Sequence, residues 1–399
     1  MSVGVDRIRH TPRAGRRRAQ RAPTAQLVNW VVKASKFCNL RCRYCYEWNE
    51  LGDTARLSLP GWERLLKIIK IYHRRRVAAV GRDFRTCIIW HGGEPMLLPV
   101  PYLENVMELQ RTILGKRALD RGDYFNAVQT NLYTIVPSAL DLFEREQFQI
   151  GVSMDFIGGV RLSAGGRETE DRVVENMERL RQRGVDFGAI IVLAGHTCPN
   201  IIAAYDFYET IGVGLRVLPL FDAPLNIPGA SFAASTTEMT QALCALFDHW
   251  IGRRHHVSVA PLDDYIRAVY LKMRGIAQAP YDRRRGEWAW LVNTDGTLYQ
   301  VMDAYDSTRA IGNIFVDSLD DVLGSPNYAA SLTREEALFE RHCGPCEFVG
   351  ACNSFPLFDS PRNGPHPPRC HIAYDVIKHI DQFFRSNNWR PQRIRALLN

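Results

Sequence analysis

The sequence predicts an α/β fold, a parallel sheet with helices on its outside, followed by a smaller module of different texture. Three observations predict it. From Leu27 to Leu220, short apolar runs alternate with longer runs of helical spacing, the pattern of β–α units in series. The length of 399 residues accommodates one α/β barrel of roughly 200–250 residues with a second module to spare. Beyond residue 285 the alternation gives way to a hairpin signal and then to a Gly/Pro-rich stretch holding four cysteines.

The elements follow in order. Val28–Ala34 reads as the first strand. Leu59–Arg75 reads as a helix, with Trp62, Leu65, Leu66, Ile69 and Tyr72 on one face. Thr86–Trp90, Tyr124–Gln129, Gln149–Met154, Phe187–Leu193 and Gly214–Leu220 read as strands two to six. Tyr102–Leu114, Ser138–Glu146, Asp171–Arg183 and Ile201–Ile211 read as the helices between them. Thr237–Arg253 and Leu262–Met273 read as two further helices. Within Trp288–Tyr299, Asp295-Gly296 between β-formers signals a hairpin. Cys343 to Cys370 is irregular and needs a staple, and Tyr374–Phe384 reads as a closing helix. The chain thus divides into an arm (1–26), a barrel (27–235), a helical linker (236–285), a cysteine-bearing module (286–372) and a closing helix with tail (373–399).

Apolar residues make up 46% of the chain, enough for a substantial core, yet no run approaches the ~18–20 apolar residues of a membrane span. The net charge of +7 is concentrated in the arm, where Arg7, Arg9, Arg13, Arg16, Arg17, Arg18 and Arg21 face only Asp6. No apolar stretch follows Arg16-Arg17, so a twin-arginine export signal is rejected. The arm reads as a solvated, disordered tail; contact with an acidic peptide or nucleic acid is the alternative. Lack of a signal segment predicts a cytoplasmic protein, whose cysteines are metal ligands rather than disulfides.

Just past the first strand, where barrels collect functional groups, stand Cys38, Cys42 and Cys45, spaced C-x3-C-x2-C. Three thiolates on a short loop suit a [4Fe–4S] cluster with one iron left open for a ligand. Zinc is the alternative and usually wants a fourth ligand nearby. His91-Gly92-Gly93-Glu94-Pro95, Gln129-Thr130-Asn131 and Gly151-Val152-Ser153-Met154-Asp155 end strands two, three and four; turn chemistry alone also favours such residues there. Cys343, Cys346, Cys352 and Cys370, spaced C-x2-C-x5-C-x17-C, suffice for a closed cluster, with structural zinc again the alternative. Cys87, Cys198 and Cys244 read as buried thiols.

These motifs resemble those of radical S-adenosylmethionine (SAM) enzymes carrying a SPASM- or twitch-type extension, as in maturases of ribosomally made peptides. The resemblance implies a partial (β/α)6 TIM-like barrel with a C-terminal iron–sulfur cluster-binding extension. It implies that Cys38, Cys42 and Cys45 hold the SAM-binding [4Fe–4S] cluster and that Tyr44 lies near the adenine. Gly92, Gly93 and Glu94 match the family's GGE motif for the SAM ammonium. Asn131 matches its TNG segment, with Leu132 in place of the glycine, and Ser153 and Asp155 match SxDG, with Phe156 in place of the glycine. Either Arg161 or Arg167 fits the arginine near the SAM carboxylate. Cys343, Cys346, Cys352 and Cys370 would hold one auxiliary [4Fe–4S] cluster, because Leu298-Tyr299-Gln300-Val301-Met302 lacks the cysteine of relatives with two.

The chemistry so implied starts from a 5′-deoxyadenosyl radical that removes a hydrogen atom from an unactivated C–H bond. The expected substrate is a precursor peptide, and the expected reaction an intramolecular side-chain cross-link with loss of two hydrogens. Asp222 or Asp303 is the guess for the deprotonating carboxylate, and an external donor of flavodoxin or ferredoxin type supplies electrons. Thioether formation, epimerisation, formylglycine formation on a sulfatase and small-molecule dehydrogenation are the alternatives within the same machinery. Formylglycine maturases usually keep two auxiliary clusters, which counts against that option. A non-enzymatic, metal-stabilised nucleic-acid-binding module, with steeply salt-dependent binding, is the alternative outside it.

Overall fold

The structure is a computed structural model that describes residues 26–155, 159–220, 232–253, 257–278, 281–300, 306–352, 370 and 372–398. The first half runs β1 (Leu27–Ser35), β2 (Leu40–Cys42), α1 (Leu59–Val80), β3 (Arg85–Gly92), α2 (Val100–Gln110), α3 (Lys116–Asp120), β4 (Tyr124–Thr130), α4 (Pro137–Arg145), β5 (Gln149–Ser153), β6 (Arg161–Ser163), α5 (Glu170–Arg183), β7 (Phe187–Leu193), α6 (Ile201–Thr210) and β8 (Leu215–Pro219). Then come α7 (Thr236–Ile251), β9 (Val259–Ala260), α8 (Leu262–Met273), β10 (Ala289–Val292), β11 (Thr297–Tyr299), β12 (Gly312–Asn313), α9 (Leu319–Gly324), α10 (Pro326–His342), α11 (Ala373–Ser386) and α12 (Pro391–Leu397).

One sheet orders the strands β12-β11-β10-β1-β3-β4-β5-β7-β8-β9. It is parallel from β10 to β9, including the six strands expected from the β–α alternation. The fold is therefore the α/β class predicted, a parallel, partly barrel-like sheet. Alternation along the strands sorts the two faces. In β1, Val28, Trp30, Val32 and Ala34 are buried in the main core, while Asn29, Val31 and Lys33 lie on the opposite face. Parallel register sets Lys33 beside His91, and Gln129 beside Gly151.

The helices form where the sequence provides both a start and an apolar stripe. Ser58 caps α1 by accepting from Gly61 N at 3.1 Å, and Pro60 occupies the first turn. Trp62, Leu65, Leu66, Ile69 and Tyr72 are all buried. Trp62 stacks on Trp90 at 4.6 Å, and its Nε1–H donates to Tyr102 Oη at 2.7 Å. Because that polar edge is satisfied, the buried indole contributes its full apolar area. Glycine at 184, in the left-handed region, ends α5.

Two features go beyond the sequence reading. The hairpin at Asp295-Gly296 forms, but β10 also pairs in parallel with β1, from Asn29↔Ala289 to Val32↔Val292. Trp30 stacks on Trp290 at 5.4 Å across that junction, so the hairpin extends the barrel sheet. Between the hairpin and Cys343, where the sequence signals no long helix, Ser325 caps the 17-residue α10. Helix α10 is tied to the sheet through a buried network in which Glu287 accepts from Arg283 Nε at 3.0 Å and from Tyr328 Oη at 2.9 Å. No helix among the described residues is long and apolar enough to cross a membrane.

Candidate active site

The C-terminal ends of β1, β3, β4 and β5 meet at the cysteine loop. Cys38 N donates to Leu51 O at 3.0 Å and Cys45 N to Cys42 O at 2.9 Å, so the loop is closed at its base and turned at its tip. Strand β2 within it pairs antiparallel with β6, placing Cys42 opposite Arg161. Burial, with Glu94 adding its charge, pushes the Cys38 thiol up to about 12. Burial also raises Cys42 and Cys45. Cys38 is buried and Cys42 and Cys45 are half-buried, and a cationic group bound among the three sulfurs favours their thiolate forms.

N–H donors already face this sulfur set. Leu40 N lies 3.4 Å and Asn131 Nδ2 3.6 Å from Cys38 Sγ. The donor chemistry therefore fits an iron–sulfur cluster. Among the described residues, no three His, Cys, Asp or Glu side chains converge closely enough to hold a single metal ion.

The Gly-Gly-Glu segment is built against this loop. Gly93 N donates to Ser35 O at 2.7 Å and Glu94 N to Phe37 O at 2.8 Å. A Cβ at position 93 would sit 2.1 Å from Phe37 O and 2.4 Å from Lys36 O. The glycine thus admits the chain's own cysteine-loop backbone. Glu94 is buried; Oε1 accepts from Met96 N at 2.8 Å and Thr130 Oγ1 at 2.7 Å, and Oε2 from Asn131 N at 2.7 Å. An ionised carboxylate has about four acceptor positions, so one remains for an outside donor. Burial outweighs these bonds and raises the Glu94 carboxyl.

Asn131 bridges the motifs, donating from Nδ2 to Asn39 Oδ1 at 2.9 Å. Leu132, the departure from the glycine expected there, adopts φ 53° and is fully buried. The backbone keeps the left-handed conformation, and Asn176 Nδ2 holds it by donating to Leu132 O at 2.9 Å.

Asp155 is completely buried beside the loop. Its Oδ2 accepts from Tyr44 Oη, its Oδ1 accepts from Val192 N at 3.0 Å, and Arg161 Nη1 donates to Tyr44 Oη at 2.9 Å. Burial alone would raise Asp155; the His196 ring, the Arg161 guanidinium, Tyr44 and the Val192 N–H outweigh it and hold the carboxyl below its ordinary value. Ser153 Oγ accepts from Gln129 Nε2 at 2.7 Å. The two candidate arginines part company. Arg161 is buried with Cys42, Tyr44 and Asp155, while Arg167 lies exposed in the turn after β6, its N–H bonded to Ser163 Oγ at 3.0 Å.

In the second cysteine group, Cys343 caps α10 and Cys346 N donates to Cys343 O at 3.1 Å. Cys346, Cys352 and Cys370 pack, half-buried, against the main core. Cys87 is buried, and Cys198 and Cys244 are half-buried. Asp222, Asp303, Phe156, Val301, Met302 and the Arg-rich arm lie outside the described residues.

Sequence reasoning missed three groups. Lys33 is fully buried, with Nζ 2.6 Å from Glu47 Oε2; a lone lysine ending an apolar strand was the available signal. His196, after β7, stacks on Tyr44 at 5.5 Å with Nε2 3.7 Å from Asp155 Oδ2. At that separation it is an electrostatic neighbour rather than a hydrogen-bond partner. Gln129, at the end of β4, reaches across to Ser153 Oγ at 2.7 Å, a partner its strand-end position alone does not signal.

Residues 32–207 match the model of the radical SAM superfamily. The chain is 22% identical over 356 residues to a serine-type anaerobic sulfatase-maturating enzyme of Bacteroides thetaiotaomicron, with 83% of each chain covered. It is 22% identical over 380 residues to a cysteine-type enzyme of Clostridium novyi, with 90% of this chain and 94% of that one covered. In fold it is similar to native anSMEcpe with bound AdoMet, at TM-score 0.68 and 19% identity over 94% of this chain and 99% of that one. It is also similar to Streptococcus suis SuiB bound to S-adenosylmethionine, at TM-score 0.54 and 16% identity, over 82% and 72% of the two chains.

Proposed function

We infer, from a chain that carries a radical SAM domain and is homologous to anaerobic sulfatase-maturating enzymes, that this protein oxidises a side chain within a peptide or protein substrate. The observation that carries the reading is the convergence of Cys38, Cys42 and Cys45 with Glu94, Asn131, Asp155 and Arg161 at the strand ends. When bound, the cluster and SAM supply a 5′-deoxyadenosyl radical that abstracts a hydrogen atom.

The chain's own residues bind and orient. The three cysteines hold the cluster. The free acceptor position of Glu94 takes the SAM ammonium, with Gly92 and Gly93 keeping that segment against the loop. Asp155, Ser153 and Asn131 face the ribose and amino-acid end, Tyr44 lies by the adenine, and Arg161 rather than Arg167 supplies the positive charge for the carboxylate. Cys343, Cys346, Cys352 and Cys370 would hold one auxiliary cluster, which would supply a redox centre besides the SAM-binding one. The division at residues 26, 235, 285 and 372 follows these roles. A flavodoxin- or ferredoxin-type donor and a cytoplasmic location complete the proposal.

Homology favours formylglycine formation, the oxidation of a peptidyl serine or cysteine, over the cross-link first expected from the sequence. The second reading keeps one observation in its favour: only four cysteines follow Cys244, enough for one auxiliary cluster. Reconstituted enzyme with SAM, reductant and peptides carrying a sulfatase-type serine or cysteine tests the choice. Serine oxidation and cross-linking both remove two hydrogens, so hydrazide capture of an aldehyde separates them. Capture supports formylglycine formation; a lighter product that resists capture supports the cross-link. No peptide product, together with turnover of a small molecule, would refute both.

A further inference from the structure

A buried ion pair that no motif announces lies beneath the cysteine loop. Lys33 Nζ lies 2.6 Å from Glu47 Oε2 and 3.1 Å from Glu50 Oε2, and both Lys33 and Glu47 are buried. Lys36 Nζ extends the array to Glu50 Oε1 at 2.9 Å and Asp53 Oδ2 at 3.5 Å. Glu47 follows Cys45 by two residues, and Glu50 ends the short helical turn Trp48–Glu50. Cys38 N also bonds Leu51 O, so the returning limb of the loop is tied to the outgoing limb at its base and to β1 through Lys33.

Gly92 belongs to the same device. A Cβ there would meet Lys33 Cγ at 2.8 Å as well as Ser35 O at 2.1 Å, so the glycine leaves the path that the lysine takes. Burying two charges costs desolvation that well-packed apolar residues of similar bulk would avoid. What the pair offers in return is direction: an ammonium on a strand fixes the position of one carboxylate two residues from a thiol.

We propose that the Lys33–Glu47 pair positions the cysteine loop, holding its Cys45 limb against β1 before iron arrives, so that cluster assembly on Cys38, Cys42 and Cys45 depends on it. This rests on the radical SAM reading of the trio. Lys33 and Glu47 are positioning residues; they need not touch cluster or SAM.

The test uses the full chain, cluster-free, as wild type, Lys33→Met and Lys33→Met/Glu47→Leu. Iodoacetamide labelling is mapped by mass spectrometry before and after anaerobic reconstitution with ferrous iron and sulfide. In both variants Cys45 should label about tenfold faster or more than in wild type, while buried Cys87 keeps its rate and reports an intact core. After reconstitution the trio should be protected in wild type and stay reactive in the variants. If Lys33→Met fails to fold, the double variant, which leaves no lone buried charge, is read alone. A double variant with wild-type labelling and full protection would overturn the proposal, because the pair would then only compensate its own charges. A wild-type trio left unprotected by iron would instead refute the radical SAM reading; the cluster-free labelling rates would still judge the pair.

Discussion

Replacing Asp155 by Asn tests how the site holds its charges. Asp155 is the only carboxylate among the described residues that bonds Tyr44 Oη, and it shares that hydroxyl with Arg161. Asn keeps the shape and the acceptor for Val192 N but removes the charge opposite a buried guanidinium. The two charges meet through the Tyr44 hydroxyl rather than in direct contact, so removing the carboxylate charge weakens a charge-assisted hydrogen bond and is expected to cost ~1–3 kcal/mol.

The pH dependence has a definite sign. The Asp155 carboxyl is held below its ordinary value of 3.8 in the folded protein. Its contribution is therefore present above the unfolded value and is lost as pH falls through the folded one. Urea unfolding at pH 7 and in the acid range, on both proteins, measures this. The difference in midpoint should be large at pH 7 and should shrink in acid. An equally stable variant at pH 7, or a difference that grows as the pH falls, would refute the argument that Asp155 is ionised and paired.

Other perturbations follow from particular contacts. Gly93→Ala forces a Cβ into Phe37 O and Lys36 O, so iron content after reconstitution should fall severalfold; normal loading would show that the loop can move aside. Leu132→Gly relieves ~1–2 kcal/mol of left-handed strain but removes a fully buried side chain worth ~2–5 kcal/mol. Thermal unfolding should therefore show a net loss despite the motif glycine. Arg283→Ala leaves Glu287 buried without its guanidinium partner and should cost ~3–5 kcal/mol, part of it recovered in Arg283→Ala/Glu287→Gln. No recovery in the double variant would mean that Arg283 acts through packing alone.

Much of the fold was legible because its signals are local. Phe187–Leu193 in the barrel and Leu262–Met273 beyond it form with the limits their apolar patterns set; the other expected barrel strands and helices fall within two residues, except that α1 runs on from Arg75 to Val80 and α2 ends at Gln110 rather than Leu114. What escaped depends on distant partners. A four-residue run such as Ala289–Val292 carries no mark of pairing with β1, some 260 residues earlier in the chain. The strands Leu40–Cys42 and Arg161–Ser163 are short and partly polar, yet their register is what sets Arg161 apart from Arg167.

The same holds within the site. The cysteine spacing and the strand-end motifs were readable, since each sits on one short segment. The use of Gly93 was not, because what it admits is the backbone of Phe37 rather than a ligand. Nor could Lys33 be paired with Glu47 by sequence alone, since only the loop's return over β1 brings them together.

The most direct measurement is anaerobic reconstitution followed by SAM cleavage under reducing conditions. Roughly eight irons per chain, from two cubanes, and formation of 5′-deoxyadenosine are expected. Deoxyadenosine should be lost when Cys38, Cys42 and Cys45 are all replaced by Ala. Deoxyadenosine still formed by the triple variant, or a wild-type protein that takes up zinc and leaves SAM intact, would rule out SAM cleavage at a cluster on this trio.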